Sequence, residues 1–390
     1  MSGMSHVSSS VLVLAQLTPC SIKIDENLDL PILSIEDEDS DNLDAFNKPR
    51  LRRALILKAL NGISDKRIEF QIPAEPKESL KDIYSITHSE GLLQFLTTAW
   101  TRWEELSVYG HIQGSEILGS GNSSGIQPFR PINVALPRDP YQRPSQSVMG
   151  AIGYYCSDQC TPITKSLQEE LLWDSAVLQT AVDKAMEGMV VYAIPTHPGH
   201  HASKDCFGGY CYLNQAAFAA RRFQMQHNVS KVAILDIDYH CGNGTASIFY
   251  DDPSVLVISI HCDPNFDYPF HSGFSDQQGV GAGEGTTLHL PLPPRTQWHE
   301  YEKSLQIALT RIHEFNAEAI VISMGLDTHD SDPCALPGAG FCLEGKDYWK
   351  LGNSMSLSLR QRKVIIIQEG GYRMDKIGEA ATNVILGFMD

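Results

Sequence analysis

From residue 190 onward the chain alternates two kinds of stretch. Short apolar runs, rich in β-branched residues, stand at 190–195 (VVYAIP), 232–238 (VAILDID), 255–261 (VLVISIH), 319–325 (AIVISMG) and 363–367 (KVIII). Most are separated by stretches with helical spacing of apolar residues, at 214–227, 297–316 and 344–359. Runs with little polar alternation suit strands buried on both faces. Strands alternating with helices build a parallel sheet covered on both sides. The expected class is therefore α/β, an open, mostly parallel sheet with helices on both faces.

The first half is less regular. Val11 to Gln16 reads as a strand. Lys48-Pro49 opens a helix (RLRRALILKALNG) for which Gly62 serves as C-cap. Residues 89 to 107 form a second helix with Ser89 as N-cap and Trp100 and Trp103 in the core. Residues 165 to 189 make the clearest amphipathic helix. Residues 1 to 9 read as mobile, the acidic segment 25–44 as a solvated or disordered insert, and the Gly-, Ser-, Pro- and Arg-rich segment 110–148 as a functional or disordered loop. With no internal repeat or linker, the division is 1–47, an N-terminal strand and acidic loop, partly disordered, and 48–390, one main domain that includes the first strand.

Chemistry gathers at the strand ends. The run 232–245 (VAILDIDYHCGNGT) breaks from apolar residues into Asp236, Asp238 and His240 at alternating positions, then a Gly-Asn-Gly turn. Alternating positions of a strand share a face. Two carboxylates and an imidazole on one face are costly without a cation among them, and a metal ion is the simplest one. His200 and His201 follow the 190–195 strand, Ser259 and His261 end the next but one, Asp327 follows the fourth, and Tyr372 the fifth. Sites in open α/β sheets form outside the carboxyl ends of the strands, so these residues can converge. Asp238, His240 and Asp327 would be three metal ligands, leaving a position for water. His200 and His201 would move protons, and Tyr372, beside two glycines, would donate to an oxyanion.

Composition narrows the partners. With 47 acidic and 30 basic residues the net charge is -17. This argues against a direct nucleic-acid partner and suits a cationic substrate. Nine cysteines, an odd number without zinc-ribbon spacing, read as reduced thiols. No apolar run approaches a membrane span, and 10–16 (SVLVLAQ) is too short for a secretory signal. The expectation is a cytoplasmic protein, the nucleus remaining open, with no membrane partner; a homo-oligomer is left open.

Five motifs carry a resemblance: His-Pro-Gly-His-His-Ala (197–202), Gly-Gly-Tyr-Cys-Tyr-Leu-Asn (208–214), Asp-Ile-Asp-Tyr-His-Cys-Gly-Asn-Gly-Thr (236–245), Gly-Leu-Asp-Thr (325–328) and Glu-Gly-Gly-Tyr (369–372). In this order they resemble the metal-dependent histone deacetylases and acetylpolyamine amidohydrolases of the arginase-deacetylase fold, from about residue 48 to the C-terminus. The resemblance implies one Zn²⁺ per chain on Asp238, His240 and Asp327, a catalytic pair His200 and His201, and Tyr372 polarising the acetyl carbonyl. It implies Asp236 paired with His200 and Asn243 with His201, an Asn typical of the class II and polyamine branch. It implies a structural K⁺ held by Asp236, Asp238, His240, Ser259 and Ile260. Tyr210 and Tyr268 would wall the acyl-lysine tunnel, with the Gly209 carbonyl facing the substrate N–H.

The function implied is hydrolysis of N-acetyl amides of acetyl-lysine or acetylpolyamine type to amine and acetate. His261-Cys262-Asp263-Pro264 through Tyr268-Pro269-Phe270, and the helix with Trp100 and Trp103, favour the acetylpolyamine branch. The alternatives are a protein lysine deacetylase and a non-catalytic metal-binding interaction scaffold. Three positions depart from the family pattern. Cys241 stands where a second His is usual, Thr196-His197 replaces Arg-Pro, and Cys334 follows Asp332-Pro333 where one polyamine-selective type has a gatekeeper Glu. His261, Cys206 and Cys211 are read as structural.

Overall fold

The computed structural model describes residues 10–16, 22–23, 32–33, 48–108 and 141–390. The acidic segment 25–44, residues 1–9 and most of the irregular segment 110–148 lie outside the described residues, apart from the short antiparallel pair β2 (Ile22–Lys23) and β3 (Ile32–Leu33).

Eight strands form one sheet in which every pairing is parallel. In chain order they are β1 (Val11–Ala15), β4 (Ile68–Gln71), β5 (Val190–Ile194), β6 (Val232–Asp236), β7 (Val255–Cys262), β8 (Thr287–Leu292), β9 (Ala319–Met324) and β10 (Lys363–Gln368). Across the sheet the order is β4-β1-β5-β10-β9-β6-β7-β8. The chain thus builds two outer groups first. The last two strands, β9 and β10, enter the gap between β5 and β6.

Alternation within the strands feeds two separate cores. Leu12, Leu14, Val191, Ala193, Ile234, Val257, Val321 and Ile365 point into one. Val11, Val13, Tyr192, Ile194, Ala233, Leu235, Ile258, Ile322 and Ile366 point into the other. The first core is closed by α2 (Leu80–Tyr84), α3 (Glu90–Val108), α4 (Val148–Tyr155), α5 (Leu167–Met186), α6 (Gln215–His227) and α7 (Asn243–Ile248). The second is closed by α1 (Pro49–Asn61), α8 (Trp298–Phe315), α9 (Gly345–Leu359) and α10 (Ile377–Met389). A sheet apolar on both faces needs two such layers.

Local signals account for the helix ends. Lys48 is the N-cap of α1 and Pro49 its first residue, where a missing N–H costs nothing. Ser89 Oγ accepts from Leu92 N at 3.3 Å at the start of α3. Gly62 does cap α1, but in right-handed conformation (φ -70°), so the left-handed freedom of glycine is not what places it there. Trp103 is buried and Trp100 packs against the same core.

Besides β2 and β3, two strands of the large sheet and several short helices were not expected from the sequence. The edge strand β4 (IEFQ) has only Ile68 buried, and β8 (TLHLPL) carries His289 and Pro291. Both are edges of the sheet, where a broken apolar pattern and a proline are tolerated. Strand β6 also ends at Asp236, two residues before the expected boundary.

Ile322 is fully buried on β9 between β10 and β6. Ile322→Ala is expected to cost about 2–5 kcal/mol, read by urea unfolding. Ile307→Ala, at an exposed position of α8, should change stability by less than about 0.5 kcal/mol.

Candidate active site

Four loops meet above the carboxyl ends of β5, β6, β9 and β10. They carry residues 195–201, 237–242, 325–327 and 369–372, so the topology brings together what the sequence separates. Because β6 ends at Asp236, Asp238 and His240 stand on the loop beyond it. Asp236 turns to the histidine loop, whereas Asp238 and His240 turn to Asp327.

His240 Nδ1 lies 3.1 Å from Asp327 Oδ2 and 3.4 Å from Asp238 Oδ1. All three residues are buried. Backbone amides hold the carboxylates in place: Gly370 N donates to Asp238 Oδ2 at 2.9 Å, His240 N to Asp238 Oδ1 at 2.9 Å, and Tyr239 N to Asp327 Oδ1 at 2.9 Å. A Cβ at Gly370 would lie 2.6 Å from both Asp238 Oδ2 and Asp327 Oδ2. Only glycine lets this backbone approach so closely.

The charge balance of this cluster is unusual. Among the described residues, the ion-pair partners of Asp236, Asp238 and Asp327 are His200 and His240 alone. Burial, then the neighbouring Asp238 charge, pushes Asp327 up to about 7. Burial works against a proton on His200, but the charges of Asp238 and Asp236 prevail and raise it to about 10. Burial also works against the charge on Asp238, but His200 and His240 prevail and hold it well below the usual carboxylate range. One donor atom each from Asp238, His240 and Asp327 lies within 4.8 Å of the other two. Two carboxylates and an imidazole, buried and already fixed by amides, fit a divalent cation such as zinc.

The histidine pair has two different environments. His200 Nδ1 lies 2.9 Å from Asp236 Oδ2, and His201 Nδ1 lies 2.7 Å from Asn243 Oδ1. The expected partners are thus in contact. An amide oxygen only accepts, so His201 Nδ1 carries the proton and Nε2 the lone pair. Burial and the charges of His200 and His240 hold His201 well below the usual histidine range. The two rings are 3.9 Å apart, centroid to centroid.

Tyr372 is buried, and burial holds its phenol protonated, well above the ordinary tyrosine value. Its ring centroid lies 5.8 Å from that of Tyr210, and Arg52 stands over it at 5.5 Å. Tyr268 meets His201 edge-on at 4.8 Å and His240 at 6.1 Å. The two expected wall residues therefore flank the histidines and Tyr372. Gly209 (φ +58°) sits against His201, where a side chain would clash with the ring. Its carbonyl already accepts from the Cys211 thiol at 3.3 Å, leaving one lone pair. In the expected potassium set, Asp236 and Ser259 are register partners on β6 and β7, Ile260 follows, and Asp238 and His240 lie just beyond Asp236.

Several acids that hold the site received no role from sequence. Glu369 Oε2 accepts from Gly199 N at 2.6 Å and His200 N at 3.2 Å, fixing the histidine loop. Asp332 accepts from Tyr372 N at 2.8 Å, Arg373 N at 3.0 Å and Cys334 N at 2.9 Å. Asp267 accepts from Tyr239 Oη at 2.9 Å, Leu336 N at 2.8 Å and Tyr268 N at 2.8 Å. Glu369 stood inside a quoted motif, next to a strand end, and that was the available signal. Of the departures, Thr196 Oγ1 accepts from Arg53 at 2.5 Å, and His197 Nε2 lies 2.7 Å from Glu170. Cys241 is buried beside His289. Cys334 lies close enough to Asp327 and Asp332 for their charges, after burial, to raise its thiol.

Comparison with known proteins gives the family. The histone deacetylase domain family matches residues 45–388. Acetylpolyamine amidohydrolase 2 of Pseudomonas aeruginosa is 36% identical over 304 residues, covering 77% of this chain and 80% of that protein. Acetylpolyamine amidohydrolase of Mycoplana ramosa is 34% identical over 317 residues, covering 81% and 85%. The crystal structure of acetylpolyamine aminohydrolase from Burkholderia pseudomallei superposes with a TM-score of 0.76 at 24% identity, over 97% of this chain and 98% of that one, and shows the same fold. The chain belongs to the histone deacetylase domain family.

Proposed function

We propose that the protein is a zinc-dependent deacetylase that hydrolyses N-acetyl amides of small primary-amine chains, releasing acetate and the free amine. The observation that carries this reading is the Asp238–His240–Asp327 cluster with the histidine pair and Tyr372 set around it. Zinc held by Asp238, His240 and Asp327 supplies a Lewis acid that acidifies water and polarises an amide carbonyl.

The protein groups divide the remaining work. His201, neutral with its Nε2 lone pair available, takes a proton from the attacking water and delivers one to the leaving nitrogen. His200, drawn toward its charged form by Asp238 and Asp236, adds positive charge beside the developing oxyanion. Tyr372 donates its phenolic hydrogen to that oxygen, as burial keeps it protonated. Tyr210 and Tyr268 enclose the chain of the substrate, and the free lone pair on the Gly209 carbonyl faces its N–H. Asp236, Asp238, His240, Ser259 and Ile260 are the residues for a structural potassium. The catalytic domain spans 48–390 and includes β1, which pairs between β4 and β5.

Acetylpolyamines are the favoured substrates. Relatives that the chain covers over most of their length carry that name, and the net charge of -17 attracts cationic amines. A second reading, protein lysine deacetylase, is favoured by one observation. Phe266, Phe270 and Leu336 are exposed around Tyr268 and Asp267, an apolar rim that suits a peptide. A non-catalytic scaffold would have no need of the Tyr372 and His200–His201 set. Among the described residues no helix is long and apolar enough to cross a membrane, and we propose a cytoplasmic location; oligomeric state is open to measurement.

Kinetics on acetylputrescine and on acetyl-lysine peptides side by side should give the higher kcat/KM for the small amine; turnover of peptides alone would overturn the choice of substrate. Tyr372→Phe should lower kcat by about 10²–10³ while zinc content is unchanged, and unaltered turnover would refute its role. Asp332→Asn weakens the clamp on the Tyr372 backbone. It should lower kcat on the order of tenfold with KM and the urea unfolding midpoint nearly constant; a fall in kcat that only tracks a smaller folded fraction would argue for a general loss of folding instead.

A further inference from the structure

Beyond His240 the sheet carries a second group of metal-competent side chains that the proposed reaction does not use. Cys241 directly follows His240, His261 lies on β7 and His289 on β8. All three are buried, and one donor atom of each lies within 4.8 Å of the other two. Cys241 Sγ is 3.6 Å from His289 Nδ1. The two imidazoles stand edge to face, 5.4 Å apart.

The tautomer of His261 is set by its neighbours. Its Nε2 lies 2.9 Å from the Gly273 carbonyl oxygen. That oxygen only accepts, so Nε2 carries the proton and Nδ1 the lone pair. A ligating histidine ordinarily ties its other nitrogen to a carbonyl or carboxylate in this way. Ser259 Oγ occupies the lone pair now, at 2.8 Å, and its hydroxyl can rotate aside. Gly273 closes over the group. A Cβ there would lie 2.6 Å from His261 Nε2 and 3.0 Å from Cys241 Sγ.

We infer that Cys241, His261 and His289 form a second, structural metal site for a thiophilic ion of the Zn²⁺ type, distinct from the Asp238–His240–Asp327 set. One thiolate and two neutral imidazoles are sulfur and nitrogen donors that suit zinc, and three of them leave the fourth tetrahedral position to a water. Zinc bonds of about 2.3 Å to sulfur and about 2.0–2.1 Å to nitrogen place tetrahedral donors roughly 3.3–3.8 Å apart. The Cys241–His289 pair has that spacing already, and His261, with a donor within 4.8 Å of both, needs to close by about 1.5 Å at most. On binding, the Cys241 S–H bond breaks, a S–Zn bond forms, and the proton leaves to solvent. The ion ties the loop after β6 to the end of β7 and the middle of β8, securing the edge strand and the residue next to His240.

Cobalt(II) titration of the metal-free full chain tests this. The Asp238–His240–Asp327 set has no sulfur, so a sulfur-to-cobalt charge-transfer band in the near ultraviolet reports a cysteine ligand. The expected result is such a band, absent in Cys241→Ser, with zinc content falling from about two ions per chain to about one in that variant. His289→Asn gives the same test if the serine variant does not fold. No band, or a band that survives in both variants, overturns the site. The readout does not depend on turnover, so an inactive protein that still shows the Cys241-dependent band would refute the deacetylase reading alone.

Discussion

Buried carboxylates held by backbone amides are what the carboxyl end of this sheet depends on. Asp236 accepts from Asp238 N, Asp238 from Gly370 N and His240 N, and Asp327 from Tyr239 N. Glu369 accepts from Gly199 N and His200 N, and Asp332 from Tyr372 N, Arg373 N and Cys334 N. Most of these acids bind a loop that arises from a different strand. Each charge is therefore also a tie between segments far apart in the chain. An ionised group in a low-dielectric interior is costly unless hydrogen bonds satisfy it. Here the same bonds that make the acids tolerable fix the loops, so the site is organised before any substrate arrives.

The tied acids also separate two histidines that look equivalent in sequence. His200 faces a carboxylate and His201 an amide oxygen. One ring is drawn toward the cationic form and its neighbour toward the neutral one. Environments that push paired titratable groups apart assign acid and base roles. The charges of Asp238 and Asp236 overcome burial at His200, whereas burial and the charges of His200 and His240 prevail at His201.

Much of this could be read before any coordinates. The apolar runs at 190–195, 232–238, 255–261, 319–325 and 363–367 are strands because each is buried on both faces, and that burial leaves a pattern without alternation. The convergence of His200, His201, Asp238, His240, Asp327 and Tyr372 followed from strand ends alone. What stayed hidden was of two kinds. Edge strands β4 and β8 are covered on fewer sides and have weak patterns. The acids that position the site, Asp332 and Asp267 above all, act through backbone amides of other loops, and no spacing within the chain reveals such pairings. The shift of Asp238 and His240 off the end of β6 had the same origin, since tertiary contacts decide where a strand stops.

The strand order has a consequence for how the molecule comes into being. Strands β9 and β10 are the last to be made, yet they occupy the centre, between β5 and β6. Until residue 368 has left the ribosome, the β4-β1-β5 and β6-β7-β8 groups lack the strands that join them, and the edges those strands will cover are apolar on both faces. Folding must then proceed by insertion into a gap, with contacts of long sequence separation and therefore slow closure. Open edges of this kind invite pairing with other chains. The interval between synthesis of β8 and insertion of β10 is thus the point at which a nascent chain most needs shielding, and loss of the last few dozen residues would remove the keel of the sheet, not its rim.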